Sequence, residues 1–328
     1  MTVFMYIVTM TKLRLPPKDT NDTGDQRRIG VEIEFGGLNV DQAAALVRDV
    51  FGGEIVVEGA HLRAVKNTDI GDFGIELDAQ TIHPSDDASE VERDVRRIMG
   101  DVSSAFVPTE IIGPPAPIQS LNEFDLLIKK LREAGAEGTS DGLSYAFGMQ
   151  LNPEAPSLAA EDILRVLQAY VLLSPLLRRR IDVDPLRRAL PYVDPYPAAY
   201  NQKILRADYA PDIGLLIDDY LEDNPTRNRD LDMLPLFAHL DSSRVHGKLD
   251  DPLIKSRPTY HYRLPNTDFD KPNWGVITEW NRWVMVERLA DNERRLRRLA
   301  NDYLEKSSTD FLDRASRKMQ EWFDEIFD

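Results

Sequence analysis

The run Arg27-Arg28-Ile29-Gly30-Val31-Glu32-Ile33-Glu34-Phe35-Gly36-Gly37 constrains this chain more than any other stretch. Its residues alternate. Ile29, Val31, Ile33 and Phe35 share one face of an extended strand, and Gly30, Glu32, Glu34 and Gly36 share the other. The apolar face requires a core. The second face sets two carboxylates about 7 Å apart, at roughly 3.3 Å rise per residue, between glycines that leave room above the sheet. Like charges on one strand face oppose each other unless solvent, protons or a cation intervenes. By itself the pattern fits either a solvated outer face or the floor of a metal site.

Three further stretches alternate in the same way. In Ile75-Glu76-Leu77-Asp78-Ala79 the acids Glu76 and Asp78 share a face. In Gly142–Asn152, Tyr145, Phe147, Met149 and Leu151 lie opposite Ala146, Gly148, Gln150 and Asn152. In Thr259–Leu264, Tyr260 and Tyr262 lie opposite His261 and Arg263. If the four pair in one sheet, Glu32, Glu34, Glu76, Asp78, Gln150, Asn152, His261 and Arg263 gather on its polar face. Helical periodicity is expected over Val40–Phe51, Ala88–Phe106, Ile118–Ala134, Leu158–Leu177, Trp274–Leu304 and Phe311–Phe327, with shorter helices at Ile213–Leu221 and Leu231–Leu240. Proline-rich Pro108–Pro117 reads as an interruption and Asp182–Pro197 as an irregular loop or lid. The fold class expected is α+β, a mostly antiparallel sheet with helices packed on its apolar face. Residues 1–26 are expected to be a flexible lead-in and 27–328 a single catalytic domain with C-terminal helices.

Composition narrows the chemistry. Forty basic residues against 56 acidic ones give a net charge of −16, which argues against nucleic acid or an anionic membrane as the main partner. There is no cysteine, so disulfides, thiolate metal sites and a cysteine nucleophile are excluded. The five histidines make no zinc-like spacing. A metal would therefore take oxygen ligands, which points to Mg2+ or Mn2+. The apolar run Met1–Met10 has neither the flanks of a signal peptide nor the length of a membrane helix, and a cytoplasmic protein is expected. An oxygen-rich sheet face suits phosphoryl transfer from ATP, with metal bridging the phosphates. No Walker-type loop and no GxGxxG run is present, so a nucleotide would lie on the sheet face. Arg227 and Arg229 sit in a polar loop, Asn224–Asp230, of the kind that carries functional groups as well as solvated charge.

Gly30-Val31-Glu32-Ile33-Glu34-Phe35, then Gly74-Ile75-Glu76-Leu77-Asp78, then Phe147-Gly148-Met149-Gln150-Leu151-Asn152-Pro153-Glu154 together resemble the amidoligase family. That family lies within the carboxylate–amine ligase superfamily, with glutamate–cysteine ligase and glutamine synthetase. Asn224–Pro235 and Thr259–Trp280 are similar to its later blocks, and the resemblance spans Arg27 to Glu287. It implies a curved antiparallel sheet of the glutamine-synthetase-like catalytic fold whose glutamates bind Mg-ATP. It also implies a substrate carboxylate activated as acyl phosphate and attacked by an amine. On that pattern Glu32, Glu34 and Glu76 match the metal-binding glutamates, with Glu32 and Glu76 at the catalytic centre, and Asp78, Gln150 and Asn152 are further ligand positions. Arg263 matches a late-strand arginine that meets phosphate or acyl phosphate, and Lys66 is a nucleotide contact. Many relatives carry histidines where this chain has Gln150 and Asn152. The substrates would be small-molecule or peptide carboxylates and amines. A carboxylate-pair hydrolase and a non-catalytic nucleotide-binding relative are the alternatives.

Overall fold

Capping decides where the first helix begins. The Asn39 side chain accepts from the N–H groups of Asp41 and Gln42, and the Gln42 side chain returns a bond to the Asn39 N–H. This reciprocal box satisfies donors that a helix start otherwise leaves open. Helix α1 (Val40–Phe51) follows, and the left-handed glycines Gly52 and Gly53 end it. The computed structural model describes residues 11–77, 107–139, 147–189 and 193–305. Asp78, the stretch Ala88–Phe106, Tyr145, Ala146, Met1–Met10 and Phe311–Phe327 lie outside the described residues.

The chain falls into two compact units that interleave in sequence. The first gathers Met1–Arg14, Gly30–Met149 and Asn266–Asn281. Its strands β1 (Arg28–Phe35), β2 (Glu54–Gly59), β3 (Leu62–Lys66), β4 (Phe73–Leu77) and β5 (Thr109–Ile112) form antiparallel neighbours in the order β2-β3-β4-β5-β1. A two-residue strand, β6 (Ala116–Pro117), also pairs with β1. Ile33, Ile111 and Ile75 lie side by side across β1, β5 and β4 and are fully buried. Helix α1 and helix α2 (Leu121–Glu133) supply the rest of this core through Val47, Phe51, Phe124 and Ile128. The rings of Phe51, Phe73 and Phe124 meet at 4.8, 5.2 and 5.9 Å. Apolar burial of this kind stabilises by roughly 25 cal/mol per Å2 removed from water.

One strand here corrects the sequence reading. Thr109–Ile112, expected to interrupt the chain, is β5 and sits between β1 and β4. Pro108 and Pro114, on either side of it, lie outside its paired residues, so neither removes a hydrogen bond from the β5 ladders.

The second unit gathers Leu15–Ile29, Gln150–Pro265 and Arg282–Asp328. Strands β7 (Met149–Pro153), β8 (Leu231–Asp232) and β9 (His261–Tyr262) pair in the order β7-β9-β8, with Leu151, Tyr262 and Leu231 in one buried row. The expected strand Thr259–Leu264 thus keeps only two residues in the ladder. Helix α3 (Ala160–Ile181) buries Tyr170, whose ring packs edge-on against Tyr196 and Tyr262. Helices α4 (Pro185–Ala189), α5 (Ala198–Leu205), α6 (Ile213–Asp223), α7 (Leu234–Leu240) and α8 (Ser242–His246) follow along the chain. The long helix expected over Trp274–Leu304 is two helices, α9 (Val276–Asp291) and α10 (Glu293–Glu305). Asn292 separates them, its side chain accepting from the Arg295 N–H, because a short amide competes well for helix-start donors. Pro16–Gln26, expected as a flexible lead-in, is held down. Asn21 donates to Glu154, and Asp22 accepts from the Leu158 N–H. Among the described residues, no helix is long and apolar enough to cross a membrane.

Candidate active site

In the first unit the polar face of the sheet carries a row of glutamates. Glu34 stands directly opposite Glu110, and Glu110 directly opposite Glu76. Directly opposed residues share a face with Cβ atoms about 4.5–5.5 Å apart, so β1, β5 and β4 align three carboxylates. Glu32, one step along, faces Ile112, whose other neighbour is Gly74. All four acids are half-buried. Glu34 is fixed further, since its Oε2 accepts the Gly148 N–H at 2.9 Å while its own N–H reaches the Gly148 carbonyl at 3.1 Å. Lys66 lies in β3 on the same face by register, and pairs with Glu58 at 3.4 Å and Asp72 at 3.5 Å.

Glu110 is the acid that the sequence reading passed over. The signal was present: Thr-Glu-Ile-Ile alternates and is β-branched, but four prolines within ten residues outweighed it.

In the second unit the polar face is a hydrogen-bonded network. Nε2 of His261 meets Gln150 Oε1 at 2.6 Å, and its Nδ1 lies 3.4 Å from Asp232 Oδ2. Asn152 Oδ1 accepts from Arg257 Nη2 at 2.7 Å. Arg263 Nη1 donates to the Arg227 carbonyl at 2.7 Å. Burial, and after it the neighbouring Arg263 charge, lowers the Arg227 pKa, while Asp251 and Asp232 act the other way. Arg229 is tied down by Asn224 Oδ1 at 2.9 Å and the Pro195 carbonyl at 3.0 Å.

The predicted residues therefore gather in two sets, Glu32, Glu34, Glu76 and Lys66 in the first unit and Gln150, Asn152, His261, Arg227, Arg229 and Arg263 in the second. Among the described residues no three His, Asp or Glu side chains are gathered to coordinate a metal ion. The donor chemistry of the glutamate row is still that of a hard cation. Mg2+ keeps several waters and takes one or two protein carboxylates beside phosphate oxygens, so a closed protein cage is not required.

A family model described as "Putative amidoligase enzyme" matches residues 25–285. The chain belongs to that amidoligase family, and at that level it is a ligase that forms amides. No curated protein and no solved structure matches it.

Proposed function

We propose that this protein is an ATP- and Mg2+-dependent carboxylate–amine ligase on a glutamine-synthetase-like catalytic fold. The observation that carries the reading is the in-register row Glu34–Glu110–Glu76, with Glu32 beside it. Adjacent carboxylates on one strand face are a donor set suited to a hard cation. When bound, Mg2+ would draw charge from the phosphates and steady the phosphoryl group in transfer. One or two of Glu32, Glu34, Glu76 and Glu110 would hold it directly, and the others through its waters. Asp78, Gln150 and Asn152 are ligand positions by the resemblance alone; in the second unit Gln150 is engaged by His261 and Asn152 by Arg257. Lys66, Arg227, Arg229 and Arg263 are the proposed contacts to nucleotide phosphate.

An oxygen of the substrate carboxylate attacks the γ-phosphorus of ATP, and the bond to ADP breaks. The amine nitrogen then attacks the acyl carbon, inorganic phosphate leaves, and the amine gives up one proton. Mn2+ would serve in place of Mg2+, and the substrates are amino acids, peptides or related small molecules. Incubation with ATP, Mg2+ and mixed amino acids should release ADP and phosphate. Glu76→Gln and Glu32→Gln should each lower that release about 100-fold or more while the far-ultraviolet spectrum is unchanged. Full activity in both variants overturns the metal assignment. Nucleotide binding without product supports a non-catalytic relative instead.

A further inference from the structure

The geometry points to an oxyanion-binding site in the second unit built by Arg257 together with Arg227 and Arg263. Arg257 stands outside the residues on which the family resemblance and the ligase proposal rest. Its Nη2 is held by Asn152, yet its Nε is buried with no hydrogen-bond partner among the described residues. A buried donor on a charged group costs free energy until something accepts from it. The same locus carries surplus positive charge. Arg227 lies near enough to Arg257 and Arg263 for both to oppose its charge. The acids that answer them are few. Asp251 stands 3.7 Å from Arg227, and Asp232 already accepts the Leu234 N–H beside His261. Three guanidiniums with a donor left over match an oxyanion, because a guanidinium offers paired N–H groups at the spacing of carboxylate or phosphate oxygens. Asn152 becomes the positioning residue that aims Arg257. The site rests on the ligase reading only for which anion arrives, the phosphoryl group of a nucleotide or the carboxylate of an amino acid.

Calorimetric titration of the whole protein with pyrophosphate, and separately with glutamate, tests this. Arg257→Gln should weaken binding of the preferred anion about tenfold or more. Asp251→Asn removes a countercharge and should tighten it about two- to fivefold, a gain that misfolding does not produce. Arg206→Gln, an exposed residue paired with Asp208, should leave affinity unchanged. A response with pyrophosphate alone assigns a phosphoryl group, and with glutamate alone a carboxylate; either supports the site. Unchanged affinity for both anions in folded Arg257→Gln and Asp251→Asn protein overturns it. If anion binding responds but no ADP is ever released, the ligase reading falls and the site stands. If turnover is normal while neither variant alters anion affinity, the reverse holds.

Discussion

The two units differ in which charge they set side by side, carboxylates in the first and guanidiniums in the second. In the second, outside the cluster of Arg227, Arg257 and Arg263, buried charges are matched. Arg27, 1% exposed, makes two bonds to Glu287 at 2.6 and 2.8 Å, and Trp283 Nε1 donates to the same carboxylate. Asp230 is likewise held by Arg178 and Ser174. In the first unit, Glu110 has a glutamate directly opposite it on each side. Its half-buried Asp125 accepts from the Ile277 N–H at the start of α9. Matched burial is what a scaffold needs. Like charges side by side cost stability, and a chain that keeps them places the cost where chemistry can use it.

Breaking a matched pair should give the largest effect on stability. Arg27→Met strands the Glu287 carboxylate and should cost about 3–5 kcal/mol in urea unfolding. Adding Glu287→Leu should recover part of that loss, since the lone buried charge is gone while the Trp283 N–H stays without its acceptor. Equal losses in the single and double variants would mean that packing, not charge, is what Arg27 supplies.

Asp125 sharpens the contrast next. Burial pushes its pKa up from 3.8 to about 6, against the pull of the Ile277 and Val276 N–H groups. The folded state then holds the proton more tightly than the unfolded one. The stabilisation is full below about pH 4 and is lost as pH rises through about 6. The span should be roughly 1–3 kcal/mol, and Asp125→Asn should flatten it. A stability profile in which wild type and variant run parallel from pH 4 to 6 would remove Asp125 from the account.

The smallest effect tests the glutamate row. Glu110→Gln relieves like-charge opposition on both sides and should raise stability by about 0.5 kcal/mol in metal-free buffer. Added Mg2+ and nucleotide should stabilise wild type more than the variant. A variant no more stable than wild type without metal would show the row to be relaxed already.

Much of this was readable before any coordinates. Strict alternation at Ile29–Phe35 and from Ile75 onward leaves one way to bury the apolar side, so the faces of Glu32, Glu34 and Glu76 followed from periodicity, although β4 begins two residues earlier, inside the expected turn. Helix α1 could be read from its spacing and its terminal glycines, because capping is local chemistry. Features set by distant contacts were read wrongly. The strand Thr109–Ile112 was hidden among prolines, and the break at Asn292 lay inside a continuous amphipathic stripe.

What the sequence by itself determined was which side chains share a face, since a strand's period of two and a helix's of 3.6 are properties of the local backbone. Only the tertiary structure decided which faces adjoin. Glu110 stands between Glu34 and Glu76, and Arg257 comes to Asn152 across more than a hundred residues, because strand order and loop return are set by how the whole chain buries its apolar area.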